Sequence, residues 1–233
     1  VAWSTAETSE ETWLPLLKEV PRWELPERPT LVVSPHPDDE TLGAGGLIAL
    51  QATRNVPVKI LAVSDGEAAY PGFDGLAKIR KSELEAAAAA LGVSKHHLIS
   101  LGLPDSRVSE FEHRLTGSIT ELIDADSLLV APWEFDPHPD HQACGRAAIE
   151  AAQLTGAAIV FYMFWAWHRE SPQFLTGLPL RKLTIPPAAQ RAKAEALACH
   201  RSQLHHPGGQ PILPDVFLAP ARRPFEIFMV EKL

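Results

Sequence analysis

Residues 31–46 read LVVSPHPDDETLGAGG, and the change of period within them decides the fold. Leu31 to Ser34 is a short aliphatic run of strand type. Thr41 to Thr53 has the length and composition of a helix, despite Gly43, Gly45 and Gly46 near its start. The turn between them carries His36, Asp38 and Asp39. Strand, turn and helix in this order open a β-α unit, and the pattern repeats down the chain. Val58 to Val63 is the next strand, and Leu76 to Leu91 is a helix with an alanine run that Gly92 terminates. His97 to Ser100, Ser127 to Ala131 and Ala158 to Phe164 read as further strands. Phe111 to Ala125, His141 to Gly156 and Ala188 to Leu204 read as helices. Phe225 to Val230 is a late strand to which an edge position is open. Aliphatic strands alternating with helices predict an α/β class, with a mostly parallel sheet covered by helices on both faces.

A chain of 233 residues fits a single domain over residues 1–233,. Residues 1–29 are expected to form an N-terminal arm, with a short helix around Glu11 to Val20 followed by the proline-interrupted PRWELPERPT. His205 to Arg223, rich in His, Pro and Gly, is the longest expected loop and a candidate substrate rim. Lys and Arg number 21 against 29 Asp and Glu, a formal charge of -8. That balance argues against nucleic acid as the main partner, because backbone binding needs a concentrated basic surface. No apolar run approaches the roughly 20 residues of a membrane-spanning helix. The opening VAWSTAETSE lacks a basic segment followed by a longer apolar region, so a cytoplasmic location is expected. It also lacks an initiating methionine, which leaves a trimmed leader and export open. Cys144 and Cys199 each fall in an expected helix and form neither a metal-binding pair nor a disulfide scaffold.

The chemistry is concentrated in two turns. SPHPDDE follows the first strand, and FDPHPDH, residues 135–141, follows the strand Ser127 to Ala131. Parallel sheets place their ligands beyond the carboxyl ends of the strands, where both turns should lie. His36 and Asp39 can converge from the first turn as an imidazole and a carboxylate. Either His138 or His141 would complete a three-ligand set that leaves a position for water, the arrangement of catalytic zinc. A bland reading also exists for each turn, in which the prolines and aspartates simply cap the following helix. Its recurrence after two strands, with histidine each time, weighs against it. The glycines of TLGAGG do not make a dinucleotide loop, since their order is wrong for G-x-G-x-x-G and two carboxylates stand ahead of them.

PHPDDE at 35–40 together with HPDH at 138–141 resembles the LmbE-like, or PIG-L-like, family of zinc-dependent N-deacetylases. LGLPD at 101–105 and KAEALACHRSQ at 193–203 extend the resemblance to nearly the whole chain. It implies a Rossmann-like sheet and one zinc ion per chain, with another divalent transition metal also compatible with such ligands. It implies hydrolysis of the acetamide of an N-acetylglucosaminyl substrate, releasing acetate and a free amino sugar. By the same resemblance the metal falls on His36, Asp39 and His141. Asp38 is the carboxylate that activates water, and His138 steadies the oxyanion or helps protonate the leaving group. Arg80, opening an R-x-x-E segment that ends at Glu83, and Asp105 match positions that organise substrate or active site. Family variants with a tyrosine just before the second histidine pair differ from this chain, which has Asp136 two positions before His138. Two other readings stand beside deacetylation: a metal-dependent amidase for another acyl group, and a non-catalytic carbohydrate-binding module. Asp65, at the end of the second strand, Trp165, Trp167 and His200 are weaker candidates for the pocket. His205 and His206 invite a second metal site, for which adjacent imidazoles alone are poor grounds.

Overall fold

A computed structural model describes residues 6–70, 72–205 and 209–230. Among these residues one seven-stranded sheet is formed by β1 (Thr30–Ser34), β2 (Val58–Ser64), β3 (Leu98–Leu103), β4 (Leu128–Pro132), β5 (Ala158–Tyr162), β6 (Leu180–Thr184) and β7 (Phe225–Val230), in the order β3-β2-β1-β4-β5-β7-β6. The first five strands run parallel, and β7 is antiparallel to both β5 and β6. The helices are α1 (Glu10–Leu17), α2 (Asp39–Thr53), α3 (Leu76–Ala90), α4 (Glu112–Thr120), α5 (Pro139–Thr155), α6 (Ala166–Arg169), α7 (Pro187–Cys199), α8 (Arg201–Leu204) and α9 (Asp215–Leu218). The expected mostly parallel sheet with two covered faces is therefore present.

Chain order fixes where a site can form. From β1 the chain moves outward to β2 and β3, then returns to lay β4 on the opposite side of β1, in register Thr30↔Leu128 to Val32↔Val130. This reversal is a topological switch point, and the loops leaving β1 and β4 diverge to leave a crevice there. Alternate residues of the central strands serve two cores. Leu31, Val33, Leu61 and Leu129 pack with Trp13, Leu115 and Ala147. Val32, Ile60 and Val130 pack with Leu47, Ala87 and Ala196 on the other face. Burial on both faces is why these strands are continuously aliphatic instead of alternating with polar residues.

Helix α2 lies unusually close to the sheet. A Cβ on Gly43 would fall on the Tyr162 ring, so the glycines of TLGAGG serve close packing,. The Glu226 carboxylate of β7 accepts hydrogen bonds from the backbone N–H groups of Gly46 (2.6 Å) and Leu47 (2.9 Å) and from Lys193 Nζ (2.7 Å). Lys193 Nζ also donates to the Leu42 carbonyl at 3.2 Å. A buried ion pair is thus inserted into the backbone ladder of α2.

Several boundaries differ from expectation for identifiable reasons. β7 is not at an edge, because β6 pairs along it from Leu180↔Met229 to Thr184↔Phe225. The LRKLT sequence of β6 is half-polar, as suits an exposed edge, and carried no strand signal. The helix expected over Ala188 to Leu204 is broken at His200, whose ψ is 54°. The segment before β1 is tied down: Trp13 and Leu17 are buried, and Trp13 Nε1 donates to the Trp167 carbonyl at 2.9 Å. Residues 215–218 of the expected loop form α9, with Phe217 and Leu218 buried. Cys144 and Cys199 are free thiols. No helix among the described residues is long and apolar enough to cross a membrane.

His168 offers a test of this packing. It is buried against Phe164 and Phe217, and burial, reinforced by Arg223 and Arg169, pushes it down from 6.5 to about 3. The folded state keeps it neutral while the unfolded chain protonates near 6.5, so stability is lost as pH falls from 6.5 toward 3. Between pH 7 and pH 5 this one residue should cost about 2 kcal/mol. His168→Phe should remove that component. Urea unfolding at both pH values should show the gap between wild type and variant shifting by that amount in favour of the variant at pH 5. An unchanged gap would refute the buried neutral imidazole.

Candidate metal centre

The turn from β1 into α2 is built around a strained residue. Asp38 has φ 148°, a conformation that costs a residue with a Cβ about 1–3 kcal/mol and survives only when the surroundings enforce it,. Here the Asp38 N–H donates to Glu40 Oε2 at 3.1 Å, and Arg80 Nη2 donates to the Pro37 carbonyl (2.8 Å) and to Asp38 Oδ2 (3.1 Å). Arg80 Nη1 donates to the Gly66 carbonyl at 3.0 Å. Glu40 is buried with His200, whose Nε2 lies 3.3 Å from Glu40 Oε1. The Asp38 side chain makes no cap bond to α2, which leaves its carboxylate directed to Arg80 and the cavity.

Asp39, the first residue of α2, joins the two loops. Its Oδ2 accepts from the His36 N–H at 3.0 Å and lies 3.0 Å from His36 Nδ1 and 3.2 Å from His141 Nε2. Each imidazole has further carboxylate support on its far side. His36 Nε2 is 3.2 Å from Asp105 Oδ1 and 3.2 Å from Asp140 Oδ2. His141 Nδ1 is 2.7 Å from Asp136 Oδ2. Asp140 is fixed by the N–H groups of Ser106 (2.8 Å) and Val108 (3.2 Å). Asp136 accepts from the N–H groups of Trp165 (3.1 Å) and Ala166 (2.7 Å). His138 caps α5 by accepting the Asp140 N–H on Nδ1 at 3.2 Å, which in the neutral ring puts the proton on Nε2,. Its ring stacks on Trp165 at 6.0 Å between centroids and 18° between planes.

The electrostatics follow from this layout. Burial alone would lower the pKa of His141, but Asp39 and Asp136 outweigh it and raise the group to about 9. His36 is raised as well, by Asp105, Asp140 and Asp39 acting against burial. Asp39 is held well below the usual carboxylate range, because His141 and His36 overcome its burial. Burial raises Asp38 to about 6 against the pull of Arg80. Burial and the positive charges on His141 and His36 push His138 down to about 3. Asp105 drops to about 2, since His36 outweighs its partial burial. The cluster therefore stabilises positive charge at His36 and His141.

Those features suit a divalent cation. The ring nitrogens of His36, His138 and His141 can be chosen to lie within 4.8 Å of one another, and His36, Asp105 and Asp140 meet the same condition. Neither buried nitrogen of His141 has an aligned hydrogen-bond partner, although carboxylate oxygens stand 2.7 and 3.2 Å away. Imidazole nitrogens and carboxylate oxygens are the donors that zinc and other divalent transition ions accept. The carboxylates behind His36 and His141 would set their tautomers.

His36, Asp38, Asp39, Arg80, Asp105 and His138 all line one cavity of about 620 Å³, with His141 behind them. Arg80 is buried and spends its terminal nitrogens on the turn and on the Gly66 carbonyl after β2. Among the weaker candidates, Trp165 lines the cavity, Trp167 is packed in the core, and His200 backs Glu40. Asp65 lies 3.5 Å from Ser100 Oγ and is not among the lining residues. His205 is exposed, and His206 lies outside the described residues. Asp136 and Asp140 are the site residues that sequence reasoning did not place: both lie in the FDPHPDH segment, but only the fold shows which imidazole each supports.

A mostly parallel α/β sheet with two His/Asp loops meeting at its switch point defines a class of protein whose loop cluster could hold a divalent metal ion. The chain belongs to the family described as PIG-L: GlcNAc-PI de-N-acetylase, whose model matches residues 31–152. It is 36% identical over 135 residues to a "Probable N-acetyl-alpha-D-glucosaminyl L-malate deacetylase 2" of Bacillus subtilis (strain 168), a match covering 52% of this chain and 59% of that protein. The chain thus spans about three fifths of that relative's length. The N,N'-diacetylchitobiose deacetylase of Pyrococcus horikoshii superposes with a TM-score of 0.62 and 26% identity, over 85% of this chain and 81% of that one. A 4-carboxy-2-hydroxymuconate hydratase of Pseudomonas putida KT2440 superposes nearly as well, with a TM-score of 0.61 over 82% of each chain at 22% identity. That likeness concerns the fold alone, so the reaction must be argued from the site.

The support of His141 by Asp136 is measurable. Asp136→Asn keeps an acceptor for one of the two N–H groups, which use different oxygens of the carboxylate, and removes the negative charge beside His141. Metal affinity should fall by about 10- to 100-fold while the fold is retained. Calorimetric titration with zinc, alongside circular dichroism, tests this, and unchanged affinity would show that Asp136 only caps α6.

Proposed function

We propose that this protein is a zinc-dependent N-deacetylase that hydrolyses the acetamide of an N-acetylglucosaminyl substrate, giving acetate and a free amino sugar. The observation that carries the reading is the position of Asp39 Oδ2 between His36 Nδ1 and His141 Nε2, with Asp38 beside it on the cavity wall. Family membership supports the reaction class, and the relatives' names support an N-acetyl sugar.

In this reading His36, Asp39 and His141 hold the ion. Asp39 is preferred to His138 as third ligand because its oxygen already meets both imidazoles, and its negative charge offsets the cation's. A divalent ion bound there would acidify water and polarise the amide carbonyl. Asp38, about 6, is largely ionised at neutral pH and accepts the proton of the attacking water,. Arg80 fixes that carboxylate and the strained turn that presents it. Neutral His138, protonated on Nε2, donates to the carbonyl oxygen as negative charge builds on it. The proton held by Asp38 then passes to the departing amine. Asp105 keeps His36 oriented and faces the cavity, where it can meet a sugar hydroxyl.

His36→Ala, Asp39→Ala and His141→Ala should each impair zinc retention, measured as metal per chain after dialysis against a weak chelator. Asp38→Asn should keep about one zinc per chain while kcat for amine release falls roughly 10²- to 10⁴-fold. Full zinc retention by all three ligand variants would reject the site. Normal turnover by zinc-loaded Asp38→Asn would remove Asp38 as the base.

A further inference from the structure

One side of the cavity is not explained by deacetylation. Beside the charged groups that follow β1, β3 and β4, the lining includes an apolar wall of Leu42, Phe164, Trp165, Pro211, Ile212 and Leu213. Four of these, Leu42, Phe164, Trp165 and Leu213, belong to a hydrophobic cluster separate from the two cores of the sheet, and Ile212 packs against it. The segment that supplies Ile212 and Leu213 is fixed in place. The Leu213 N–H donates to the Gln203 carbonyl at 3.0 Å, and the Ile212 N–H donates to Tyr70 Oη at 3.0 Å. The wall is therefore a built surface.

What it would meet follows from size and charge. Leu42, Phe164, Trp165 and Leu213 keep no more than 9% of their surface exposed, and if the acyl group is acetyl, as the proposed function has it, a single methyl cannot reach all six residues. Sugar hydroxyls need hydrogen-bonding partners, which these side chains lack apart from the Trp165 indole; the neighbouring amide of Gln210 lies at the wall's margin in sequence. The wall's own side chains offer an anionic group no cation: among the described lining residues Arg80 alone carries a permanent positive charge, and its terminal nitrogens are bound to Asp38 and two carbonyls. The net charge of -8 adds a general repulsion,.

We propose that the Leu42–Phe164–Trp165–Ile212–Leu213 wall is an aglycone subsite for an uncharged, apolar group joined to the N-acetylglucosamine, such as an alkyl or aryl chain. This rests on the deacetylase reading and narrows its substrate class. Apolar burial against the wall contributes binding in proportion to the area covered, and two buried methylenes are worth about tenfold.

The test compares amine release by the zinc-loaded full chain from four substrates: the octyl and methyl glycosides of N-acetylglucosamine, its malate glycoside, and the methyl glycoside bearing N-octanoyl in place of N-acetyl. The octyl glycoside should exceed the methyl glycoside in kcat/KM by about tenfold or more. The malate glycoside should not exceed the methyl one, and Ile212→Ser should shrink the octyl-to-methyl ratio severalfold. Equal rates for octyl and methyl glycosides, or preference for malate, would overturn the subsite while leaving deacetylation intact. Preference for the N-octanoyl substrate would assign the wall to the acyl group and overturn it too. If no substrate released amine, the deacetylase reading would fail, and calorimetry with octyl and methyl glucosaminide would still decide the wall. Tighter octyl binding with a negative heat-capacity change would support it, and equal binding would overturn it.

Discussion

The pairing of β1 with β4 is the constraint on which everything else depends. Thr30 to Val32 meet Leu128 to Val130 across the switch point, so the loops carrying His36 and His141 leave the sheet side by side. Strands are spaced by about 4.8 Å. Had β4 been added beyond β3, the two loops would stand about 14 Å apart, too far to share a metal ion. The backbone ladder therefore sets the distance between two halves of a site that are a hundred residues apart in the chain. Because those central strands are covered on both faces, the loops also emerge next to a dry interior, where charges interact strongly.

That setting accounts for the alternation of carboxylates and imidazoles. Asp105 and Asp140 flank His36 on one side and Asp39 on the other, while Asp39 and Asp136 bracket His141. Buried acids left unpaired would be strongly destabilising, and each is answered by an imidazole or by backbone N–H groups. The same economy extends outward. Glu40 is satisfied by Ser34, Thr41, the Asp38 N–H and His200, and the Glu40 contact to Asp38 in turn helps to hold a backbone angle that no relaxed aspartate would adopt. Strain and buried charge are concentrated at one edge of a sheet whose two cores are otherwise apolar.

Much of this architecture could be read from the chain. Aliphatic runs such as LLVA in β4 announce strands covered on both sides, and the two histidine turns announce a site at their carboxyl ends. What escaped the sequence was whatever depends on a neighbour. β6 is recognisable only through its ladder with β7, since Arg181 and Lys182 disguise it. The sequence marks Arg80 only by resemblance, as a residue that organises substrate or active site; that it is buried follows from the turn of Pro37 and Asp38, which supplies its acceptors. Asp136 and Asp140 look equivalent within one short segment, but the first supports His141 and the second supports His36. Trp165 and Trp167, two residues apart, fall on the cavity and in the core because a helix begins between them.

The ion pair between Glu226 and Lys193 has an implication for how α2 tolerates change. A buried salt bridge can often be exchanged for well-packed apolar side chains at little cost in stability. Here that exchange is closed, because the carboxylate also receives the Gly46 and Leu47 N–H groups and the ammonium also serves the Leu42 carbonyl. A leucine or methionine pair of equal volume would leave backbone donors and an acceptor stranded in the interior, each at about 1–3 kcal/mol. A glycine-to-alanine change at Gly46 would also force the Ile185 side chain to move, since a Cβ there would come within 2.6 Å of its Cδ1 and 3.0 Å of Glu226 Oε1. The helix that carries Asp39 thus depends on residues nearly 150 and 180 positions away, and any redesign of this scaffold must treat all three segments as one unit.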